Sequence, residues 1–258
     1  MLNSPLRLLC ILLSLPFLLS ACSNIKPDPD DKNAWPVERY AAEAQKQMDK
    51  KNWDQAIELY RELESKYPYG KYAEQAQINT AYTHYKSGKP ELALLDTERF
   101  IRLHPTHPRV DYAYYLRGLV SFVEDNTILG KFSGADDLSD RDPQAARNAY
   151  EAFRELVSRF PDSRYSADAL QRMVYLFSAL ARHDVGVAQF YMDRGAYVAV
   201  VNRAKYVIEN YQETPAVEDA LGLMMQAYAE MGMETLAKDT ARVLARNFPD
   251  TKYLATTK

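Results

Sequence analysis

An alanine followed twelve residues later by a proline occurs four times in this chain. The four pairs are Ala56 with Pro68, Ala93 with Pro105, Ala149 with Pro161 and Ala237 with Pro249. Each pair encloses an amphipathic stretch, in which a small residue lies on one helix face and the proline ends the helix. This arrangement is typical of one half of a helix-turn-helix repeat. Because such repeats stack into a superhelix with a long binding surface, the spacing predicts a chain that holds other proteins or peptides.

The same spacing predicts an all-α fold, a tetratricopeptide-like (TPR-like) superhelix of about five helix-turn-helix repeats over residues 37–258. The N-terminal units occupy residues 37–123, and the C-terminal units occupy residues 143–258. In the first unit, the small residues that mark the two helices, Ala44 and Ala56, are 12 residues apart. In the third unit, the corresponding residues, Gly118 and Ala149, are 31 residues apart. This excess predicts an insertion at residues 124–142, because insertions in such folds form loops on one face.

The C-terminal units carry several irregular details. Asp142 and Pro143 are expected to restart a helix after the insertion, with Asp142 as the N-cap and Pro143 as the first helical residue. Gln212 stands where the other units have proline. The pattern leaves open whether residues 166–194 form one long helix or two. The tail at residues 250–258 is expected to fray.

The first 21 residues have the composition of a targeting segment. Their apolar run of 12 residues is too short for a bilayer span of about 20 residues. The run leads into Leu-Ser-Ala-Cys, which resembles the lipobox of bacterial lipoproteins and predicts Cys22 as the lipid attachment site. An aspartate directly after the cysteine would resemble the signal that retains lipoproteins in the inner membrane. Ser23 occupies that position, which favours the outer membrane. We therefore expect a cleaved signal peptide at 1–21, an acylated extended tether at 22–36, and a lipid-anchored protein on the periplasmic face of the outer membrane.

The composition and the motifs argue against several function classes. A formal net charge of −3 gives no electrostatic case for nucleic-acid binding. The sequence lacks a nucleophile elbow, a phosphate-binding loop, a dinucleotide-binding loop and a zinc-protease motif, so it predicts neither a catalytic residue nor a cofactor. His104 and His107 have a spacing that suits a metal, but each precedes a proline, and a rigid turn is the stronger interpretation. The acidic residues at 136–142 do not match a calcium loop and are interpreted as solvated.

Tyrosines and arginines cluster around the turns that follow the first two units. The set consists of Tyr69, Tyr72, Tyr112, Tyr115, Arg99, Arg102 and Arg117. Aromatic rings beside guanidinium groups would suit a peptide that ends in an aromatic residue with a free carboxylate. The alternative is that TPR-like helices use tyrosine in packing, and the sequence does not decide between the two. These seven residues form the predicted peptide-binding site.

Several irregular stretches of the chain resemble one family. They are YPYG at 67–70, RFIRLHPTHP at 99–108, DY at 111–112, LRGL at 116–119, SDRDP at 139–143 and RGAYVAVVNR at 194–203. With the lipobox, the acidic tether and the insertion in the third unit, they resemble the BamD (ComL) family over essentially the whole mature chain. Members of that family are lipoprotein subunits of the β-barrel assembly machinery of Gram-negative outer membranes.

The resemblance implies a scaffold and receptor that carries out no reaction. In the family, the N-terminal repeats receive the C-terminal targeting strand of unfolded outer-membrane barrel proteins. The C-terminal repeats dock the POTRA domains of the barrel subunit BamA and contact the lipoprotein BamC. The resemblance therefore places Arg194 and Arg203 at the contact with the barrel subunit, where arginine can pair with a carboxylate in forked geometry.

Two other function classes stay open at this point. One is a different TPR-type periplasmic lipoprotein that scaffolds envelope or peptidoglycan-associated proteins. Co-purification with a POTRA-bearing barrel protein would separate it from the first interpretation. The other is a helical enzyme, such as a murein hydrolase, which would need a catalytic glutamate in a cleft. No motif in this sequence supports such an enzyme.

Overall fold

A computed structural model describes residues 32–124 and 143–254 of the chain, and within these ranges the structure is all-helical. After a 3-10 turn at Lys32–Ala34, ten α-helices follow. They are α1 (Val37–Asp49), α2 (Trp53–Lys66), α3 (Lys71–Lys86), α4 (Pro90–Leu103), α5 (Val110–Glu124), α6 (Gln144–Arg159), α7 (Ser166–Met192), α8 (Tyr197–Asn210), α9 (Ala216–Glu230) and α10 (Glu234–Asn247).

The ten helices form five consecutive pairs, and each helix packs against its neighbours in the chain. The first helices of adjacent repeats also touch each other: α1 contacts α3, α3 contacts α5, and α7 contacts α9. This layering, in which first helices share one face, is that of a helical solenoid. The predicted all-α TPR-like superhelix of about five repeats is therefore confirmed.

Small residues allow the two helices of a repeat to approach closely. Ala56, Ala93 and Ala149 are completely buried, as expected for a helix crossing that leaves no room for a larger side chain. Ala237 is only half-buried, because no described helix follows α10 to cover it. Gly118 on α5 packs directly against the Phe153 ring of α6, and an added Cβ atom there would lie 2.4 Å from the ring.

An aromatic residue is the C-cap of the second helix in every repeat. Because it occurs in all five repeats and proline in only four, it explains the recurring spacing better than proline does. The five residues, each with φ between −134° and −128°, are Tyr67, His104, Phe160, Tyr211 and Phe248. Each donates its backbone N–H to the carbonyl four residues earlier, at 2.7–2.9 Å. Proline follows four of them, and it favours this extended backbone in the preceding residue. Gln212 follows Tyr211 without altering the geometry, so the fourth repeat does not need the proline.

The structure corrects several predicted boundaries. Residues 166–192 lie in one continuous helix of 27 residues, α7, which settles the question left open by the sequence. Pro143 is the N-cap of α6, and the first helical residue is Gln144, one residue later than predicted. The end of the predicted tether is not extended, because Trp35 packs on Tyr40 with ring centroids 5.2 Å apart. The backbone carbonyl of Trp35 also accepts a hydrogen bond of 2.8 Å from the Tyr67 hydroxyl.

Some predictions fall on parts of the chain outside the described residues. These are the signal peptide at 1–21, Cys22, most of the tether, and the insertion at 124–142 apart from Glu124, which ends α5. The last residues, 255–258, also lie outside.

The predicted frayed tail is instead packed against α9 as far as Leu254. Thr251 is buried, and the Tyr253 hydroxyl donates a hydrogen bond of 2.7 Å to Asp219. Burial and this carboxylate together raise the pKa of Tyr253 to about 12. The Tyr253 ring lies on Gly222, where an added Cβ atom would come within 2.4 Å of it. The tail therefore covers α9, the first helix of the fifth repeat, on the side where the described residues form no further repeat.

We predict that Gly222→Ala destabilises the fold by about 1–3 kcal/mol, because the methyl group and the Tyr253 ring cannot occupy the same space. The melting temperature should fall by roughly 2–4 °C per kcal/mol in a chain of this size. Thermal unfolding followed by circular dichroism measures the change. The matched control is Gly222→Ala in a Tyr253→Ala background, where the penalty should disappear. An equal penalty in both backgrounds would mean that the clash is not with the tail.

Candidate functional site

A row of aromatic side chains lies along the first helices of the second to fourth repeats. We call it the aromatic row, and its members are Tyr82 and Tyr85 on α3, Tyr112, Tyr115 and Phe122 on α5, Tyr165 just before α7, and Tyr175 on α7. All seven are half-buried, so each ring combines packing against the helices with a surface open to solvent. Such half-exposed rings offer apolar area to a ligand.

Ring-to-ring contacts connect the members of the row. Tyr115 stacks on Tyr165 with centroids 4.8 Å apart and an interplanar angle of 16°, and Tyr112 lies 5.3 Å from the same ring. Farther along, Phe122 meets Tyr175 at 6.2 Å. Helices α5 and α7 thus meet through long side chains, whereas α5 and α6 approach closely at Gly118. The row occupies the space that this wider separation leaves between first helices.

Helix periodicity explains why these rings share a face. Tyr82 and Tyr85 are three residues apart on α3, and Tyr112 and Tyr115 are three apart on α5. Residues three or four apart lie side by side on an α-helix. Burial raises the pKa of both Tyr85 and Tyr112, so these hydroxyl groups remain neutral donors at physiological pH.

A carboxylate and an arginine hold the middle of the row in place. The Tyr115 hydroxyl donates a hydrogen bond of 2.7 Å to Asp168, and Arg172 Nε donates one of 2.6 Å to the same carboxylate oxygen. The hydrogen bond from Arg172 lowers the pKa of Asp168. Burial, followed by the contact with Asp168, raises the pKa of Tyr115 to about 12. Both shifts favour an ionised Asp168 that accepts from a neutral Tyr115.

Arg109 brings a positive charge to one end of the row. Its guanidinium carbon lies 5.3 Å from the centre of the Tyr112 ring, and its Nη1 donates a hydrogen bond of 2.5 Å to Gln75. No carboxylate of the described residues pairs with it. Arginine in this position can pair with an incoming carboxylate while its plane remains beside an aromatic ring.

The structure does not bring the seven predicted peptide-binding residues onto one surface. Tyr112 and Tyr115 lie in the aromatic row. Arg117 is two residues beyond Tyr115, so it points to the other side of α5, where it pairs with Glu155 of α6. Arg99 on α4 pairs with Glu64 of α2 at 2.6 Å, again through a second helix.

The other predicted residues surround the first and second repeats. Tyr69 is 90% exposed in the loop between α2 and α3. Tyr72 packs against the core of the first repeat, with the Lys71 ammonium 5.0 Å from its ring. Arg102 is exposed near the end of α4 and forms no ion pair with a described residue. Each of these three side chains therefore belongs to a different environment from Tyr112 and Tyr115.

Sequence reasoning missed the rest of the row. Tyr82 and Tyr85 carried a usable signal, namely two tyrosines three residues apart on a predicted first helix. Asp168 and Arg172 also have the spacing of a helical ion pair, but nothing in the sequence connects them with Tyr115, which is more than 50 residues away. Their joint position depends on the way α7 packs beside α5.

A groove of about 650 Å³ lies on the opposite side, between α4, α5 and α6. Its lining includes Arg117, Arg159 and Glu155, and Glu155 pairs with both arginines. The Tyr114 ring, which is buried, lies 4.9 Å from one guanidinium carbon and 5.5 Å from the other. The three charged side chains named here are therefore paired within the molecule.

The two histidines with metal-like spacing have other partners. His104 lies 2.7 Å from the side-chain oxygen of Gln77, and His107 lies 3.4 Å from Glu74. Both rings pack on Phe100, with centroids 5.0 Å and 5.2 Å away. Among the residues that the structure describes, no group of three or more potential ligands could hold a metal ion. The segment is a turn between repeats.

The two arginines expected at a partner contact lie near the turn between α7 and α8. Arg194 is exposed and stacks on Phe190, with its guanidinium carbon 3.4 Å from the ring centre. Phe190 and Val198, on either side of it in the chain, are exposed apolar residues. Arg203 instead donates a hydrogen bond of 2.8 Å to the buried Asp184 on α7.

Comparison with known proteins identifies relatives of the whole chain. A family model described as YfiO, outer membrane lipoprotein, matches residues 34–244. The chain is 46% identical over 252 residues to the outer membrane protein assembly factor BamD of Neisseria meningitidis serogroup A, covering 96% of this chain and 94% of the relative. It is 39% identical to the BamD of Xylella fastidiosa strain Temecula1, over 97% of this chain and 85% of the relative.

Two other matches are more distant in sequence. The BamD of Vibrio cholerae is 34% identical over 235 residues, which cover 91% of this chain and 95% of the relative. The match to the crystal structure of MamA covers 86% of this chain and 96% of the MamA chain, with 17% identity and a TM-score of 0.37. None of the helices in the described ranges is long and apolar enough to cross a membrane.

We predict that Asp168 contributes stability that depends on pH. Because Arg172 lowers the pKa of Asp168, this contribution is fully present above the unfolded-state pKa of about 3.9 and is lost as the pH falls through the lower folded-state pKa. Asp168→Asn should therefore lower the urea midpoint at about pH 6, and the difference from the unchanged protein should shrink at about pH 2.5. Asp239→Asn, at an exposed ion pair on α10, is the control and should have little effect. A difference that stays constant with pH would contradict this assignment.

Proposed function

Because the chain belongs to the BamD family of outer membrane protein assembly factors, we propose that it is a non-enzymatic receptor and scaffold in the assembly of outer-membrane β-barrel proteins. Its substrates would be unfolded barrel proteins, recognised through their C-terminal targeting strands. Its partners would be a BamA-type barrel subunit, which docks through POTRA domains, and a BamC-type lipoprotein. A solenoid suits this role, since its length offers separate surfaces to several partners at once.

The aromatic row beside Arg109 is the observation that carries the substrate proposal. A targeting strand of the kind this family receives ends in an aromatic residue with a free carboxylate. Burying such a ring against Tyr112 and its neighbours would contribute about 1.5–3 kcal/mol. Arg109, which lacks a carboxylate partner among the described residues, would pair with the chain end. Together they favour a C-terminus over an internal segment.

We predict that Arg109→Gln weakens binding of a synthetic peptide with a C-terminal phenylalanine about tenfold, a change of about 1.4 kcal/mol. The same peptide with a C-terminal amide should lose less than about twofold, since it has no carboxylate to pair. Fluorescence anisotropy measures both affinities. Arg246→Gln is the matched control and should bind normally, because it removes an exposed arginine on α10 that is also free of ion pairs with described residues. Equal losses for the acid and the amide would refute the role of Arg109.

Crosslinking distinguishes the aromatic row from the wider set of candidate residues. Photoreactive residues at Tyr112 and Tyr115 should label the peptide strongly. The same probes at Tyr69 and Tyr72, or at Arg99, Arg102 and Arg117, show whether the strand extends toward the first repeat or the second helices. Labelling confined to the fourth and fifth repeats would overturn the proposed substrate site.

The turn between α7 and α8 is our candidate for docking the barrel subunit. Arg194 with Phe190 and Val198 presents an exposed cation beside apolar side chains. Aromatic residues and arginine are the types that most often anchor protein interfaces. Arg203 lies on α8 and ends the stretch at 194–203 that resembles the family. One nitrogen of its guanidinium donates a hydrogen bond to Asp184.

We predict that Arg194→Glu weakens binding to isolated POTRA domains about three- to tenfold, mainly through slower association. Arg194 forms no ion pair with a described residue, so charge reversal there should leave the helical content unchanged. Arg61→Glu, an equal charge change on α2 in the first repeat, is the control and should bind normally. Surface plasmon resonance measures both rates. Normal binding by Arg194→Glu would place the docking surface elsewhere.

The lipid anchor is the remaining part of the proposal. Cys22 follows the lipobox-like residues, and lipidation there would hold the solenoid on the periplasmic face of the outer membrane. Cys22→Ala should abolish incorporation of radiolabelled palmitate and release the protein from the membrane fraction. Palmitate label that persists in Cys22→Ala would refute the assignment, and Cys10→Ala, within the expected signal peptide, is the matched control.

A further inference from the structure

One end of the first repeat combines cations with aromatic rings. Helix α1 begins there, α2 ends there and α3 begins there, so residues 32–40 and 66–72 lie together. We call this surface the anchor-side end. It carries the cations Lys32, Arg39, Lys66 and Lys71 and the rings of Trp35, Tyr40, Tyr67, Tyr69 and Tyr72. With four cations and one acid, Glu38, the two segments have a net charge of +3, in a chain whose net charge is −3.

Three of these cations lie beside rings and are exposed to solvent. The distances from the cation to the ring centre are 4.2 Å for Arg39 on Trp35, 5.0 Å for Lys71 on Tyr72 and 5.5 Å for Lys66 on Tyr40. A lysine or arginine placed in this way covers the ring with its apolar stem and keeps its charge at the surface. The cations are therefore held in position and remain accessible to an anion from outside.

Hydrogen bonds fix the rings to the fold. The Tyr67 hydroxyl donates a hydrogen bond of 2.8 Å to the Trp35 carbonyl, and the Tyr40 hydroxyl donates one of 2.8 Å to the Lys32 carbonyl. Trp35 is nevertheless only half-buried, and Tyr69 is 90% exposed. Tryptophan and tyrosine are the residues enriched at membrane–water interfaces, where lysine and arginine reach toward the headgroups. The composition of this end is therefore that of a membrane-contacting surface.

The chain enters this end from the proposed lipid attachment site. Cys22 is ten residues before Lys32, and ten extended residues span at most about 33–36 Å. An acyl group on Cys22 would therefore keep the anchor-side end within that distance of the bilayer. The intervening segment carries Asp28, Asp30 and Asp31, which oppose contact with an anionic leaflet. The cations of the anchor-side end are the nearest described charges that favour such contact.

The opposite end of the first repeat provides a comparison. It also carries exposed cations, namely Lys46, Lys50 and Lys51. It lies about 20 Å away, since α1 has 13 residues at 1.5 Å each. Charge alone therefore does not distinguish the two ends. The entry of the chain from Cys22 and the pairing of cations with rings do distinguish them.

We propose that the anchor-side end rests on the headgroups of anionic phospholipids in the leaflet that holds Cys22. Arg39, Lys66 and Lys71 face the phosphates, and Trp35 and Tyr69 lie at headgroup level. The inference rests on the lipid anchor proposed above. Each cation near an anionic leaflet contributes about fivefold to membrane affinity, so the contact orients a chain that the acyl groups already hold. It determines which end of the solenoid lies next to the bilayer.

The two tryptophans of the chain allow a direct test, because Trp35 and Trp53 lie at opposite ends of the first repeat and both are half-buried. Acylated mature chain is placed in vesicles of phosphatidylethanolamine with a quarter phosphatidylglycerol, which carry a fluorescence quencher on the lipid headgroup. Trp53→Phe leaves Trp35 as the reporter, and Trp35→Phe leaves Trp53. Trp35 should be quenched at least about threefold more strongly than Trp53, which is about 20 Å farther from the bilayer.

Charge variants separate a contact surface from simple tethering. The test variant changes three cations of the anchor-side end together, Arg39→Gln, Lys66→Gln and Lys71→Gln. The control changes three cations at the opposite end, Lys46→Gln, Lys50→Gln and Lys51→Gln. The test variant should lose at least about half of the Trp35 quenching, and the control should retain it. Raising the ionic strength, which needs no substitution, should act on the unchanged chain as the test variant does.

Several outcomes would overturn the proposal. Equal quenching of Trp35 and Trp53 would do so, and so would Trp35 quenching that neither the test variant nor salt reduces, since the tether alone would then set the distance. A test variant that keeps its quenching but binds the peptide with a C-terminal phenylalanine more weakly would assign the surface to substrate. Mature chain that carries no acyl group by mass spectrometry would overturn the lipid anchor itself, and this inference with it. Circular dichroism should show that both triple variants melt like the unchanged chain, since all six side chains are exposed.

Discussion

The close approach of helices through small residues is the constraint on which the rest of the structure depends. Ala56, Ala93 and Ala149 are completely buried at helix crossings, and Gly118 leaves no room for a methyl group beside Phe153. Each repeat buries its apolar face only against the next repeat, so the stack needs covers at its ends. Trp35 provides one at the start, through its contacts with the first repeat, and the tail around Tyr253 provides the other.

The candidate substrate site lies between α5 and α7, where the helices meet through long side chains instead of small residues. Helices α5 and α7 meet through rings and through the contact of Tyr115 with Asp168, and the same rings remain half-exposed. A surface of this kind is already ordered before a ligand binds, because Arg172 and Asp168 fix the middle of the row. Preorganisation of rigid rings lowers the cost of binding an extended strand. The site is therefore a product of repeat stacking and does not require a separate loop.

Much of the architecture was predictable from one-dimensional spacing, because each repeat is built from local periodicity. Helix ends were predictable as well, although the aromatic residue proved more general than the proline, as Tyr211 followed by Gln212 shows. The site was less predictable, since it depends on contacts between repeats. Arg117 and Tyr115 were predicted to share one site because they are close in sequence. Residues two apart on a helix point to opposite sides, so the structure separates them. The tail was also missed, because short polar ends carry no signal for docking on Gly222.

The continuity of α7 links the two proposed binding surfaces. Arg172 and Asp168 lie near its N-terminus beside the aromatic row, Asp184 lies in its middle, and Phe190 lies near its end beside Arg194. At 1.5 Å per residue, Asp168 and Asp184 are about 24 Å apart along one helix. Two separate helices with a turn between them would let the substrate and partner surfaces move independently. A single helix instead fixes the distance between the two proposed surfaces, because its backbone hydrogen bonds run without interruption from Asp168 to Phe190.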